Sequence, residues 1–261
     1  MKISLKSKRA LVGGSSKGLG NAVASQLALS GATVTLLSSN EERLIKTVND
    51  LKEKTGLNHN YLVVDYYDFQ SYQKIIKKYL STNPIDILIN NTQGPIGGDV
   101  MNVSIEDYQK SFDLLFKSVV FTTMLALENM KKNKWGRIIN MASVSVKEPL
   151  SYLALSNSIR AAVTTWGKTL SNDLGSNNIT VNNILTGYFD TERINQLNSE
   201  KAKKLNVDVE QVYEKMKNLV PLKRIGDPKE FGYLLTFLAS ENAAYINGAN
   251  IPIDGGILKS M

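Results

Sequence analysis

A glycine-rich run near the start of the chain carries the strongest chemical signal in the sequence. Residues 13–20 read Gly-Gly-Ser-Ser-Lys-Gly-Leu-Gly, between a short apolar stretch and a helical pattern. Glycine there permits a tight turn and a close approach of the backbone to a pyrophosphate, and the following helix presents free N–H groups to the anion. The run predicts a dinucleotide-binding loop, with a purely structural turn as the alternative. The expected contacts are Gly14, Ser15, Ser16, Lys17, Gly18, Leu19 and Gly20.

The residues after the second predicted strand bear on which dinucleotide binds. NAD sites usually place an acidic residue there, on the ribose 2′-hydroxyl, whereas this chain has Ser38 and Ser39. Glu41 and Glu42 follow, at a place that suits the positive end of the next helix. The two hydroxyls, with Lys17 as a contact for a 2′-phosphate, favour NADP(H). NAD(H) stays open, as does a plain solvated role for Lys17.

Two residue types that often carry chemistry are almost missing from the chain. It has no cysteine and a single histidine, His59. This excludes disulfides, thiolate metal sites, cysteine nucleophiles and any site that needs two imidazoles, and we expect no metal site. His59 lies in a polar stretch before a predicted strand, so we expect it at the surface.

The charge balance is basic, with 31 Lys and Arg against 24 Asp and Glu and a net charge of +7. A basic surface favours anionic partners, but the densest clusters, at 131–134 and 201–204, are short and typical of a solvated helix face. We therefore expect no nucleic-acid partner. No apolar run reaches the ~18 residues of a membrane span, and the N-terminus lacks the apolar core of a signal peptide. The expected location is the cytoplasm, without membrane contact.

The elements that must position these residues alternate between short apolar strands and longer helices. Strands are predicted at 9–13, 33–37, 61–64, 85–90, 137–141, 179–185 and 250–253. Helices are predicted at 18–30, 40–54, 69–80, 105–132 and 151–174, with helical segments over 191–239. This alternation is typical of a parallel sheet covered by helices on both faces. The prediction is one α/β domain over 1–261, a Rossmann-like doubly wound sheet of about seven strands, with 191–221 as a candidate mobile substrate flap.

Four further motifs follow the glycine run in order. They are Asn-Asn-Thr-Gln-Gly at 90–94, Gly-Arg-Ile-Ile-Asn-Met-Ala-Ser at 136–143, Ile-Thr-Val-Asn-Asn-Ile-Leu-Thr-Gly at 179–187, and a C-terminal pattern that ends in Asp-Gly-Gly at 254–256. With Gly14-x3-Gly18-x-Gly20 they resemble the T-G-x3-G-x-G, N-N-A-G, G-R-I-V-N-x-S-S and I-x-V-N-x-x-x-P-G motifs of the short-chain dehydrogenase/reductase family. The resemblance covers nearly the whole chain and is closest to the 3-oxoacyl-acyl-carrier-protein reductase branch.

This resemblance implies the reaction and the remaining coenzyme contacts. The family moves hydride between a nicotinamide and a carbonyl or alcohol, so a small-molecule carbonyl, alcohol or acyl thioester is the implied substrate. Asp65 and Tyr66 would border the adenine. The residues that would line the ribose and nicotinamide are Asn91, Thr92, Gly94, Gly187 and Thr191. The substrate pocket would be formed by 93–102, 147–152 and the flap.

The catalytic positions depart from the family's pattern. The family uses a tyrosine as acid and base, a lysine four residues later, a serine some 13 residues before the tyrosine, and a helix asparagine that holds a water. Ser143 matches the serine, but the count places Ser156 at the tyrosine position, Arg160 at the lysine position and Leu115 at the asparagine position. A serine hydroxyl is a much weaker acid than a phenol, and arginine stays charged and cannot relay a proton. Arg160 can still attract an alkoxide or hydrogen-bond the ribose of the coenzyme, so it is also a predicted coenzyme contact.

Three readings of this departure stay open. In the first, an oxidoreductase has a rewired site in which Ser143 and Arg160 polarise the carbonyl and Tyr152, Tyr188 or water supplies the proton. In the second, the protein binds the coenzyme with little turnover, as a sensor or subunit. In the third, the scaffold performs nucleotide-independent or different chemistry. Structural roles also stay open: Arg160 pairs with Asp173 or Glu148, Tyr152 only packs, and Leu115 is helix core.

The family resemblance also implies a homotetramer or homodimer. The long predicted helix carries an apolar line of Phe112, Leu115, Val119, Thr123 and Leu127 at roughly helical spacing. This line is either part of a subunit interface or buried against the chain's own sheet.

Overall fold

The apolar stretches of the sequence form one parallel sheet in the computed structural model, which describes residues 3–260. Its strands are β1 (Arg9–Val12), β2 (Thr33–Ser38), β3 (Asn60–Val63), β4 (Ile87–Asn90), β5 (Gly136–Met141), β6 (Ile179–Thr186) and β7 (Asn250–Ile253). They lie in the order β3-β2-β1-β4-β5-β6-β7. The strand order reverses between β1 and β4. Open α/β sheets bind ligands at such a switch point, at the carboxyl edge of the strands.

Helices cover both faces of the sheet. They are α1 (Gly18–Leu29), α2 (Glu41–Thr55), α3 (Phe69–Leu80), α4 (Ile105–Phe112), α5 (Ser118–Asn133), α6 (Ala154–Leu174), α7 (Glu192–Leu205), α8 (Val209–Leu219) and α9 (Pro228–Leu238). One buried apolar cluster joins α1, α2 and α9 to the sheet, and a second joins α3, α5 and α6 to its other face. The predicted α/β class, parallel sheet and doubly wound architecture are confirmed. Within the described residues, no helix has the length and apolar character that crossing a membrane requires.

The long helix predicted over 105–132 is not continuous. A π-helical turn, Asp113–Lys117, separates α4 from α5, and the Ser118 hydroxyl donates to the carbonyl of Leu114 (2.6 Å). Such turns insert one residue into the helical ladder and change which side chains face inward. Leu115, in this turn, is 2% exposed, as its helix-core interpretation requires.

The apolar line predicted along this helix is not a free surface. Leu115, Val119, Thr123 and Leu127 are all buried within the chain. Phe112 alone is exposed, and its ring stacks on Phe116. The line therefore packs on the chain's own sheet, and its use as a subunit interface is wrong for four of its five members.

A row of four asparagines, three of them buried, links the last four strands of the sheet. Asn90, Asn140, Asn183 and Asn250 occupy paired positions on β4, β5, β6 and β7. Each neighbouring pair shares a side-chain amide hydrogen bond of 2.8 Å. Since a buried amide without a partner costs about 1–3 kcal/mol, this row stabilises one register of these four strands.

The single histidine lies inside, contrary to the surface position predicted for it. His59 is 6% exposed. Its Nδ1 accepts from the Val34 N–H (3.2 Å), and its Nε2 contacts the Thr55 hydroxyl (3.0 Å). The ring thus accepts the Val34 N–H of β2 one residue before the pairing of β2 with β3 begins. Burial lowers the pKa of His59 below its ordinary 6.5.

This buried imidazole predicts a pH-dependent stability. The folded chain holds His59 neutral, so below about pH 6.5 the unfolded chain binds the proton more readily and the free energy of unfolding falls. Above that pH the contribution is complete. Urea unfolding between about pH 5 and about pH 7.5 should show a steeper acid loss for the native sequence than for His59→Gln. Parallel curves for the two proteins would contradict this role of His59.

Candidate active site

The glycine run forms the turn between β1 and α1, at the carboxyl edge of the sheet. Gly14 and Gly18 have φ of 52° and 57°, a backbone region that side chains with a Cβ rarely adopt. A Cβ on Gly20 would lie 2.2 Å from the carbonyl oxygen of Gly14. The first turn of α1 is therefore held against the loop, and its N–H groups point to the same edge. This open cradle fits a dinucleotide diphosphate.

Ser15 is part of the loop's support, not of its open face. Its hydroxyl donates to the carbonyl of Val12 (2.8 Å) and accepts from the N–H of Leu37 (3.0 Å), and its own N–H donates to the carbonyl of Leu37 (3.0 Å). These bonds tie the turn to β2. Its hydroxyl and amide are buried and already paired, and its contact with the dinucleotide stays a prediction.

Asn91 braces the same turn from the end of β4. Its side-chain amide donates to the carbonyls of Gly13 (3.0 Å) and Gly14 (3.3 Å). A Cβ on Gly13 would lie 2.1 Å from the backbone oxygen of Asn91, so the two segments touch directly. Asn91 thus shapes the loop. Because its side-chain amide already donates to the loop, the predicted contact with the ribose or nicotinamide would come from its backbone.

Tyr66 lies beneath the glycine turn, not on its surface. Tyr66 is 6% exposed, and a Cβ on Gly13 would lie 2.8 Å from its hydroxyl oxygen. Burial is the main cause that raises its pKa. The phenol fills space beside Gly13, which stands where the family's loop has threonine. The contact of Tyr66 with the adenine stays a prediction, and the adjacent Asp65 is exposed at that edge.

Hydroxyls and cations gather where β2 ends. The hydroxyls of Ser16 and Ser38 lie 2.7 Å apart, and Ser39 beside them is exposed. Lys17 Nζ lies 2.6 Å from a carboxylate oxygen of Glu192, and Arg43 Nη1 lies 3.2 Å from the same oxygen. The bonds from Lys17 and then from Arg43 lower the pKa of the Glu192 carboxyl.

Sequence reasoning found only part of this group. Lys17 is not simply solvated, since it is paired. Arg43 was missed, although a basic residue one turn after Ser38 is where an NADP-type site places one. Glu192 is 149 residues from Arg43, and nothing in its local sequence indicates that contact.

The opposite end of the edge carries the residues predicted at the nicotinamide. A Cβ on Gly94 would have no atom within 4 Å, whereas a Cβ on Gly187 would lie 2.6 Å from the Cα of Asp254. The Thr92 hydroxyl donates to the carbonyl of Gln93 (3.1 Å). Thr191 caps α7 by accepting from the Ile194 N–H, and its methyl group faces Gly18. These segments surround one edge, but their contacts with a coenzyme stay a prediction.

Ser156 and Arg160 form a connected pair on α6. Arg160 Nε donates to the Ser156 hydroxyl (3.1 Å), and Nη1 donates to the carbonyl of Met141 (2.6 Å). Ser143 follows Met141 by two residues, is half-buried, and its hydroxyl accepts from the Ser145 N–H. The guanidinium therefore lies at the end of β5, next to the segment that carries Ser143.

Arg160 has no carboxylate partner among residues 3–260. Glu148 instead accepts from the N–H groups of Lys259 and Ser260, so pairing of Arg160 with Glu148 or Asp173 is wrong. Burial lowers the pKa of Arg160 to about 10. At neutral pH the group is still a cation, one whose charge is not neutralised by a neighbour.

Tyr152 stands at the mouth of the same site. It is 47% exposed, so it is not a core packing residue. Its phenol lies beside that of Tyr188, and partial burial followed by this neighbour raises its pKa. The raised pKa keeps the Tyr152 phenol protonated at neutral pH, which makes Tyr152 a candidate proton donor and a poor base.

The segments predicted to form the substrate pocket are in contact. The Gly98 N–H donates to the carbonyl of Tyr152 (2.9 Å), and Arg193 reaches the carbonyl of Pro95 (3.4 Å). Large exposed apolar side chains lie on this rim: Ile96, Val100 and Met101. Residues 191–221 contain α7 and α8. Motion of this segment as a flap stays a prediction.

Comparisons with known proteins identify the family to which this chain belongs. The profile of the family described as enoyl-(acyl carrier protein) reductase matches residues 14–258. The NADPH-dependent reductase BacG of Bacillus subtilis is 33% identical over 98% of this chain and 100% of that protein. The 3-oxoacyl-[acyl-carrier-protein] reductase FabG of Aquifex aeolicus is 28% identical over 98% and 100% of the two chains. The L-sorbose reductase of Gluconobacter frateurii, solved with NADPH and L-sorbose, has 29% identity, full coverage of both chains and a TM-score of 0.93.

Proposed function

Since the chain belongs to the short-chain dehydrogenase/reductase family, in its 3-oxoacyl-acyl-carrier-protein reductase-like branch, we propose that it is an NADP(H)-dependent oxidoreductase. It would interconvert a carbonyl and an alcohol. One observation carries the coenzyme assignment: two cations, Lys17 and Arg43, and the paired hydroxyls of Ser16 and Ser38 meet at the end of β2. A carboxylate at Ser38 would repel a 2′-phosphate, and the chain has none there.

The residues that would hold the coenzyme span the carboxyl edge. The N–H groups of Ser16 to Gly20 would bind the diphosphate, Lys17, Arg43, Ser38 and Ser39 the 2′-phosphate, and Asp65 the adenine side. BacG is described as NADPH-dependent, and the L-sorbose reductase structure contains NADPH. Both support NADP(H) over NAD(H) for this chain.

Chemistry at the carbonyl would come from a cation and two hydroxyls. Bound NADPH supplies the hydride. The Ser143 hydroxyl and the Arg160 guanidinium would attract the carbonyl oxygen as it gains negative charge. Arg160 stays charged and moves no proton, and Ser156 is a weak acid that donates to no base here. Tyr152, with Tyr188 beside it, or a water at the open mouth would therefore donate the proton.

The substrate class follows from the site and its relatives. Relatives act on a keto sugar or are described as 3-oxoacyl reductases, and the exposed apolar rim at Ile96, Val100 and Met101 suits an acyl chain. We propose a small ketone or an acyl thioester as substrate and a homotetramer or homodimer as the working assembly. The cytoplasmic location stays a prediction.

A panel of substrates tests the oxidoreductase. Keto sugars, small ketones and oxoacyl thioesters are mixed with NADPH, and its absorbance is followed; the mirror experiment offers alcohols with NADP⁺. We expect at least one carbonyl class to be reduced, with NADH a poorer donor. NADPH binding without turnover of any compound would overturn the proposed reaction.

A second function is favoured by the same departure from the family's pattern. Leu115 is buried and cannot hold a water, and Ser156 replaces the phenol. A protein of this kind would bind NADP(H) and report its redox state as a sensor or subunit. The discriminating result is tight NADPH binding, seen as quenching of Trp135 and Trp166 emission, together with no turnover across the panel.

A further inference from the structure

Glu192 contacts both cations of the proposed 2′-phosphate site, although the proposed reaction gives it no role. Glu192 is the first residue of α7, and it bridges Lys17 in the glycine loop and Arg43 on α2. Its two oxygens accept from Lys17 at 2.6 Å and from Arg43 at 3.2 and 3.3 Å. These are the two cations that the proposed NADP(H) site requires.

All three groups are near half-exposed, so the bridge is open to competition. The exposed fractions of their side chains are 53% for Lys17, 44% for Arg43 and 56% for Glu192. Ion pairs this exposed are weak. A phosphate dianion carries more charge than a carboxylate and accepts more hydrogen bonds, so it can displace Glu192 from both cations.

The position of Arg43 supports a role beyond local stability. It lies in the first turn of α2, where the helix dipole disfavours a cation and where Glu41 and Glu42 already provide the favourable charge. Its guanidinium instead points across to the glycine loop and α7. A cation held there by one exposed carboxylate is available to another anion at the end of β2.

The contact also anchors the start of α7. Thr191 rests against Gly18, and α7 and α8 pack mainly against each other. The Glu192 bridge thus ties the start of α7 to the coenzyme edge. The hydrogen bond from Arg193 to the carbonyl of Pro95 ties the same turn of α7 to the loop after β4.

We propose that Glu192 is a coenzyme-specificity residue whose carboxylate occupies the cation pair that the 2′-phosphate of NADP(H) must take. Binding of NADP(H) requires release of Glu192, whereas binding of NAD(H), which has a hydroxyl there, does not. Glu192 therefore lowers the preference for NADP(H) and keeps both coenzymes in range. This inference rests on the proposed NADP(H) site.

Calorimetric titrations of Glu192→Gln with NADPH and NADH test the inference. We expect the Kd for NADPH to fall about three- to tenfold, the effect of two exposed ion pairs, and the Kd for NADH to change less than about twofold. Glu200→Gln is the matched control, because it removes the same charge from an exposed position on the same helix. It should leave both values unchanged.

A second background separates competition from a general charge effect. In a Lys17→Gln/Arg43→Gln protein, NADPH binding is expected to weaken, and adding Glu192→Gln should bring little further change because nothing remains to compete for. A gain that persists in that background, or an equal gain for NADH, would overturn the inference while leaving NADP(H) binding intact. Failure of the unsubstituted protein to bind NADPH would instead overturn the proposed function itself.

Discussion

Replacing Arg160 with alanine is expected to lower kcat for carbonyl reduction about 100- to 1,000-fold, the usual cost of removing one donor to a developing oxyanion. The guanidinium is held by Ser156 and the carbonyl of Met141, and no acidic side chain of residues 3–260 neutralises it. Its charge is therefore available to the alkoxide that forms when hydride reaches the carbonyl carbon.

The control for this variant lies on the same helix. Lys168→Ala removes an exposed cation from α6 and should leave kcat within about twofold. Arg160→Lys keeps a positive charge, so it should retain more activity than the alanine variant. Thermal unfolding of each protein checks that the fold persists. An Arg160→Ala protein that is folded and fully active would contradict the role assigned to Arg160.

Restoring the family's pair should produce the opposite effect. Ser156→Tyr/Arg160→Lys is expected to raise kcat at least about tenfold, because a positioned general acid contributes roughly 10²–10⁴-fold. The gain falls short of the full range since Leu115 still occupies the position of the water-holding asparagine. A phenol beside a lysine also titrates closer to neutral pH than Tyr152 does, so a new ionisation should enter the pH profile of kcat.

The single substitutions show whether the two positions act together. Ser156→Tyr alone places a phenol beside an arginine, and Arg160→Lys alone leaves no phenol, so each should recover much less than the pair. Their coupling in a double-mutant cycle measures this cooperation directly. If the folded double variant is no faster than the unsubstituted protein, Ser156 and Arg160 do not occupy the tyrosine and lysine positions.

Much of the fold could be predicted from local pattern alone. Short strands apolar on both faces and a glycine turn before α1 are local signals, and they gave the parallel sheet and the cradle correctly. The long helix was predicted as continuous because the π-helical turn at Asp113–Lys117 inserts one residue without any glycine or proline that would mark a break. A glycine turn can be recognised because its backbone angles exclude other residues.

The features that the sequence pattern did not reveal share one physical cause, long-range packing. His59 looked exposed because its neighbours are polar, yet its ring completes a strand pairing with Val34. Tyr66 and Ser15 are buried supports of the glycine turn, a role that the local motif does not reveal. Lys17 and Glu192 meet across 175 residues, and no pattern within the sequence indicates such a pair.

The measurement that tests the central claim most directly is calorimetric titration of the unsubstituted protein with NADPH and, separately, NADH. The cations and hydroxyls at the end of β2 predict one coenzyme per chain and a Kd for NADPH about tenfold or more below that for NADH, equivalent to about 1.4 kcal/mol. Neither coenzyme binding at millimolar concentration, or NADH binding more tightly, would contradict an NADP(H) site on the glycine turn.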